Sequence, residues 1–174
     1  GQLNRLNQIF DSSFDAKIIR TGVDVEAISK STEKIELPDS FQGKKLVFLP
    51  RYIQPIYQTE LQLKALAALP STQRENLAIF LIKGTKTADE YMLRIQTILG
   101  EMNIPYHVQE SLTQPEMWAV FKQSQLAIMT PKTDGTPNSA LEAMAAKCPL
   151  ILGNFQYDED LFSEKYCVRM KTDS

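Results

Sequence analysis

The sequence predicts an α/β fold: a doubly wound, Rossmann-like parallel sheet of about six strands with helices on both faces. Three observations predict it. Short apolar runs recur along the chain, helical stripes lie between them, and the runs are continuously apolar rather than alternating. Such runs belong to strands buried on both faces. A length of 174 residues suits one well-buried domain and is short for two.

The opening differs from the rest. A polar helix rich in Asn and Gln precedes a lone strand at 16–20 and the turn Thr21-Gly22-Val23-Asp24. Residues 1–24 therefore read as the end of another domain or an interdomain linker, with residues 1–20 packing poorly on the sheet. Residues 25–43 are charged and loop-like, with Pro38 and Gly43 at the close, and read as a linker or as the edge of something missing. The remaining strands are expected at 45–49, 77–83, 106–109, 126–130, 150–152 and 167–170, most of them beside Gly, Pro or polar breaks. One helical stripe is Tyr57, Leu61, Ala65 and Ala68; another is Tyr91, Ile95, Ile98, Leu99 and Met102. Thr87–Glu90, Thr113–Glu116 and Ser139–Glu142 each fit the S/T-x-x-E capping box that opens a helix. Little chain follows the last strand, so residues 25–174 read as one domain lacking its closing helix, and both ends read as cut.

Composition narrows the function classes. Hydrophobic residues make up 43 % and charged residues 23 %, with a formal charge of −2. That balance gives no general attraction to nucleic acid or anionic lipid, so any anion must be held by local groups. No apolar run approaches the ~20 residues of a membrane span. Cys148 and Cys167 lack metal-ligand spacing and read as reduced, buried thiols of a cytosolic protein.

In open α/β sheets ligands bind outside the carboxyl ends of the strands. The most informative such end follows 126–130: Pro131-Lys132-Thr133-Asp134-Gly135-Thr136-Pro137-Asn138, with a helix opening at Ser139. Gly135 allows close backbone approach, and a helix N-terminus offers free N–H groups to a phosphate. Asp134 and Glu142 stand eight residues apart. Carboxylates beside a phosphate site suit hydroxyl donors, meaning sugars. The same residues also fit a plain Asp-Gly turn and the far half of a capping box.

The segment from Asp134 to Ala145, reading Asp-Gly-Thr-Pro-Asn-Ser-Ala-Leu-Glu-Ala-Met-Ala, resembles the signature of family-four GT-B glycosyltransferases. That signature has two acids eight apart and a Glu-Ala-Met helix start; here Asp stands for the more frequent first Glu. Lys147-Cys148-Pro149-Leu150-Ile151 is similar to the family's continuation, Thr21-Gly22-Val23-Asp24 to its turn into the donor domain, and Leu49-Pro50-Arg51 to its first donor-domain strand ending in an arginine. The resemblance covers nearly the whole chain and implies the nucleotide-sugar-binding half of a retaining glycosyltransferase of the hexosyltransferase type. It implies no metal or cofactor, a UDP- or GDP-sugar donor, and a glycan or lipid-linked acceptor bound by a missing domain. The setting implied is bacterial-type polysaccharide biosynthesis, cytoplasmic or peripheral at the inner membrane face. The half alone is expected to be inactive.

Carried across by position, Glu142 would accept the ribose hydroxyls and Asp134 would hold hydroxyls of the donor sugar. Backbone N–H groups from Gly135 through Thr136, Pro137 and Asn138 to Ser139 (Pro137 itself having none) would face the sugar and diphosphate. Arg51 would neutralise the diphosphate as it leaves. Ser111 and Leu112, past another strand end, would border the base. The family's lysine five residues after the arginine is replaced by Ile56; Lys132, on the rim of Asp134, is a candidate substitute. His107 reads as an ordinary partly buried histidine and Trp118, in the stripe Met117, Val120, Phe121, as core.

Other classes fit less well. A receiver-type domain needs acids after its first strand and a flavodoxin-like module a Ser/Thr-rich loop, where this chain has Leu49-Pro50-Arg51-Tyr52. A GT-B nucleotide-sugar epimerase and a non-catalytic α/β interaction domain remain as alternatives.

Overall fold

The structure, a computed structural model, describes residues 7–10, 21–85, 87–153, 161–163, 165 and 167–170. The strand expected at 16–20 lies outside them, as does most of the opening segment. Within that segment, the helical turn 7–10 (α1) leaves Ile9 and Phe10 exposed.

The elements then run α2 (Val25–Lys30), a 3-10 turn (Asp39–Phe41), β1 (Lys45–Tyr52), a second 3-10 turn (Pro55–Tyr57), α3 (Thr59–Ala67), α4 (Ser71–Arg74), β2 (Leu77–Ile82), α5 (Asp89–Glu101), β3 (Tyr106–Gln109), α6 (Gln114–Gln123), β4 (Leu126–Met129), α7 (Asn138–Ala145), β5 (Leu150–Gly153) and β6 (Val168–Met170). All the strand pairings are parallel, in the order β3-β2-β1-β4-β5-β6. The order reverses between β1 and β4, as a doubly wound sheet requires.

Period-two alternation along β1 sorts the core into two layers. Leu46 and Phe48 join Phe80, Val120, Phe121, Ala140 and Ala143 under α6 and α7. Val47 and Leu49 join Leu63, Leu66, Tyr91, Ile95 and Leu99 under α3 and α5. Phe48 meets Phe80 and Phe121 edge-on at 5.7 and 5.0 Å, an arrangement aromatic rings favour.

Four expectations need correction. Residues 25–43 are not a free linker: Ile28 on α2 is fully buried, Phe41 enters the core, and Ile35 and Leu37 pack against it. Lys122 donates to the carbonyls of Ser29 and Ser31 at the end of α2, where a helix favours a cation. The stripe Tyr57, Leu61, Ala65, Ala68 is not the buried face of α3; that face is Thr59, Gln62, Leu63 and Leu66. The helix starts at Thr59, not Tyr57, and the polar Gln62 is buried because it has partners. Thr87 does not cap α5; its hydroxyl donates to the Lys83 carbonyl and the cap position is Ala88. The fourth, at Ser139, belongs to the site.

The box at Thr113 forms in full. Glu116 accepts the Thr113 backbone N–H at 2.7 Å, and the Thr113 hydroxyl accepts that of Glu116. The Thr113 backbone N–H, and then its hydroxyl, hold the Glu116 carboxyl below its usual 4.5. A depressed carboxylate contributes stability that is present above its unfolded value and lost as the pH falls through the folded one. Thr113→Ala should therefore lower stability by ~1 kcal/mol at neutral pH, and the difference from the parent should shrink below that value. Urea unfolding at about pH 7 and about pH 3 checks both the loss and its direction with pH.

Candidate functional site

The site grows from a gap between two strands. β1 and β4 pair only at Val47↔Leu126 and Phe48↔Ala127, although both continue further. Pro50 has no N–H to give a ladder. Against β2 the register passes from Leu49↔Leu81 directly to Tyr52↔Ile82, so Pro50 and Arg51 are looped over a single step. This bulge re-aims both neighbouring side chains. The Tyr52 ring lies over Gly84, where an added Cβ would come within 2.5 Å of it. Arg51 lines the gap.

Three partners hold the guanidinium there. It lies 4.4 Å over the Tyr57 ring, Nη1 donates to the Ser139 hydroxyl at 3.2 Å, and Nη2 is 3.2 Å from Oδ2 of Asp134. The Arg51 and Asp134 side chains are 22 % and 17 % exposed, so the pair is partly shielded from water. Asp134 Oδ1 accepts the Gly135 N–H at 2.8 Å. Oδ2 is buried, and its contact with Arg51 is close without hydrogen-bond alignment. It keeps its capacity to accept from a better-placed donor. Tyr57 is braced in turn by buried Gln62, whose amide donates to the Tyr57 carbonyl at 3.1 Å and to Thr130 Oγ1 at 2.9 Å.

The start of α7 forms the other wall. The capping box expected from Ser139 and Glu142 is absent. The cap position is Pro137, which has no side-chain acceptor, and Ser139 sits two residues too far in, bonded to Arg51 instead. Ala140 and Leu141 N–H groups reach the Pro137 carbonyl; among the described residues those of Asn138 and Ser139 have no acceptor. Glu142 turns the opposite way, toward α6. Its Oε1 accepts from Gln114 Nε2 at 2.9 Å and from Trp118 Nε1 at 3.1 Å, and the residue is 7 % exposed. Gly135 has no left-handed φ and nothing within 4 Å of an added Cβ. It supplies open space, not a special conformation.

The resulting crevice of about 240 Å³ is lined by Pro50, Arg51, Tyr52, Tyr57, Met117 and Ser139. Arg51, Asp134 and Ser139 are thus in direct contact, with Glu142 one helical turn along. Thr136 is half-buried, Pro137 buried and Asn138 exposed. Ser111 is exposed and Leu112 packs against the core, just before the Thr113 cap. The Lys132 N–H donates to the Ile56 carbonyl at 2.8 Å, which sets the two positions side by side. Its side chain lines a separate hollow of about 340 Å³ with Gln58, Glu60, Lys64, Tyr91 and Arg94. His107 is half-buried, 3.0 Å from Gln109 Oε1.

Sequence reasoning missed Tyr57, Gln114 and the polar role of Trp118. An Arg two residues past the strand end expected at 49, with a Tyr nearby, was a signal for the first; nothing local signals the other two. Among the described residues no three His, Cys, Asp or Glu side chains gather as for a metal, and no described helix is long and apolar enough to cross a membrane. Chemically, a cation and free N–H groups suit an oxyanion, while two carboxylates with spare lone pairs suit hydroxyl groups.

The family described as glycosyl transferases group 1 matches residues 30–167. No curated protein matches the chain. Among solved structures, the N-terminal domain of trehalose-6-phosphate phosphatase from Candida albicans is 18 % identical with a TM-score of 0.69, over 86 % of this chain and 38 % of that one. The UDP-forming α,α-trehalose-phosphate synthase of Burkholderia xenovorans is 19 % identical with a TM-score of 0.65, over 75 % and 35 %. The α,α-trehalose 6-phosphate synthase of Burkholderia multivorans is 20 % identical with a TM-score of 0.66, over 77 % and 35 %. The likeness is one of fold, and the matched region spans little more than a third of each of these chains.

The contacts of Ser139 can be checked without any ligand. A double-mutant cycle between Arg51→Ala and Ser139→Ala should show a coupling of at least ~0.5 kcal/mol, larger than that between Ser139→Ala and Glu142→Ala. The reverse ranking in urea unfolding would restore the capping box.

Proposed function

The chain belongs to the glycosyl transferases group 1, and from that premise we propose that it is the nucleotide-sugar-binding domain of a retaining, metal-independent glycosyltransferase. The observation that carries the reading is the grouping at the β1–β4 gap. Arg51 touches Asp134 and Ser139, and the acceptor-free N–H groups of Asn138 and Ser139 fall in sequence between two carboxylates eight residues apart, Asp134 and Glu142. That is the charge pattern of a diphosphate flanked by a ribose and a sugar ring.

In this reading Glu142 accepts from the ribose hydroxyls and Asp134 from hydroxyls of the donor sugar. The diphosphate lies against Arg51 and the start of α7, the stretch from Gly135 through Thr136 and Pro137 to Asn138 and Ser139. Ser111 and Leu112 border the base. As the bond from the anomeric carbon to the diphosphate oxygen breaks, charge grows on the leaving phosphate. Arg51 and the N–H groups of Asn138 and Ser139 meet that charge with little reorganisation. A guanidinium carries five donors, and two of its nitrogens face Ser139 and Asp134, so donors remain for phosphate. Lys132 would add the cation missing at Ile56 by swinging its side chain out of the neighbouring hollow that it lines. The donor is a UDP- or GDP-sugar; the UDP-forming synthases that share the fold favour uridine. The acceptor, a glycan or lipid-linked saccharide, is held by a second domain, and the setting is cytoplasmic.

Glu142→Gln tests the reading, because the Gln oxygen can still accept from Gln114 and Trp118 and the fold stays intact. Hydrogen bonds to charged groups contribute roughly 1.5–3 kcal/mol. Calorimetry should therefore show about a tenfold to hundredfold loss of nucleoside-diphosphate affinity at nearly constant melting temperature. Arg51→Ala should weaken uridine diphosphate more than uridine. The chain alone should transfer no sugar, since the cleft that presents an acceptor and excludes water needs both domains. Unchanged affinity in folded Glu142→Gln protein removes the ribose role.

A further inference from the structure

Glu142 is held in an unusual way for a residue with a ligand to bind. A glutamate has three rotatable side-chain torsions, and on a helix surface it samples several of them. Here two donors from a different helix converge on one of its oxygens. Gln114 Nε2 and Trp118 Nε1, at the first and fifth positions of α6, both reach Oε1, at 2.9 and 3.1 Å. Among the described residues none donates to Oε2. One oxygen is saturated by protein and the other is left for something else.

We infer that Gln114 and Trp118 are positioning residues that fix the Glu142 carboxylate so that Oε2 is presented to the ribose hydroxyls; this rests on the ribose role proposed for Glu142. The two donors have no comparable structural duty. Gln114 is exposed, and Trp118 is half-buried beside Met117, which lines the crevice. The capping box at Thr113 fixes the backbone of Gln114 at the helix start. The fully buried Phe121, packed on Phe48, fixes the helix on the sheet. An indole N–H withdrawn from water needs a partner, and the carboxylate it has found is charged, which makes the bond strong and directional. Preorganisation of this kind raises affinity by removing the ordering that a ligand would otherwise impose.

Trp118 is the single tryptophan of the chain, so its emission reports on the Glu142 carboxylate directly. The experiment compares binding of uridine and guanosine diphosphates, their 2′,3′-dideoxy analogues and inorganic pyrophosphate to the 174-residue chain and to Trp118→Phe and Gln114→Ala. Trp118→Phe keeps an aromatic ring but loses the N–H together with part of the indole, so its melting temperature is compared with that of the parent. Gln114→Ala changes an exposed residue and cannot disturb the core. Each should reduce the preference for ribose over dideoxyribose by about fivefold and leave pyrophosphate binding unchanged. In the parent, the Trp118 emission should shift with the ribose nucleotide and not with pyrophosphate. Loss of the preference in Glu142→Gln with full preference in both Trp118→Phe and Gln114→Ala would overturn the positioning role and leave the ribose role standing. Full preference in Glu142→Gln, or no nucleotide binding by the parent, would remove the ribose role and the inference with it.

Discussion

The site depends on β1 and β4 being held together at one end and released at the other. At the closed end Gln125 donates its backbone N–H to the Leu46 carbonyl at 2.9 Å, and its side-chain oxygen accepts the Leu46 N–H. Two paired positions follow and then the ladder stops. Strand order reverses at this place, so the crossover connections leave in opposite directions and nothing fills the space above. Pro50 keeps it open, since a residue without an N–H cannot extend the ladder. Arg51, Tyr57 and Ser139 then meet across the gap, and the Gln62 amide ties Tyr57 to Thr130 at the end of β4. A polar cluster is tolerated there because nearly every member has a partner.

Packing on the two faces makes the walls stiff. Phe48 sends its ring into the layer under α6, where Phe121 and Phe80 enclose it. Any shift of α6 would open voids in a core whose largest side chains are completely buried. The short helix α7 is stopped behind as well as in front. Lys147 adopts a left-handed φ of 60° and the Cys148 N–H returns to the Ala143 carbonyl at 2.9 Å, the kind of turn that ends a helix. Burial pushes the Cys148 thiol up to about 12, so it acts as a small apolar filler and not as a nucleophile.

The fold was legible because its signal is repeated. The central strands β1, β2, β4 and β5 are apolar through most of their length, and the sheet order follows from few topological choices once strands and helices alternate. The acid pair was legible because the loop sits at a strand end and the spacing of Asp134 and Glu142 is distinctive. What failed was local pattern with a distant competitor. Ser139-x-x-Glu142 satisfies the capping-box spacing, yet Arg51, 88 residues away in sequence, takes the serine hydroxyl. Gln114 and Trp118, 28 and 24 residues away, take the glutamate. Thr113-x-x-Glu116 has no such rivals and forms the box. In residues 25–43 the charged residues are as many as the apolar ones, and the few apolar ones that matter, Ile28 and Phe41 above all, show no period long enough to read. Burial of the Gln62 amide depends on partners that only the fold supplies, the Tyr57 carbonyl and the Thr130 hydroxyl.

The same geometry bears on how charge is balanced in the crevice. With Ile56 in place of a lysine, Arg51 is the only cation lining it among the described residues, and Asp134 offsets part of its charge at 3.2 Å. A diphosphate entering on the proposed reading finds a guanidinium already shared. Coulomb attraction between partly shielded groups at such distances amounts to a few kcal/mol, so neither partner surrenders Arg51 without compensation. A donor sugar supplies it. Its hydroxyls can bond the buried Oδ2 of Asp134, which the guanidinium approaches without alignment, and free more of Arg51 for phosphate. A bare nucleoside diphosphate brings no such donors and must compete with Asp134 for the cation. On that reading the pair would make the sugar and the phosphate ends of the donor interdependent, occupancy of one strengthening the other through a single ion contact rather than through any movement of the sheet.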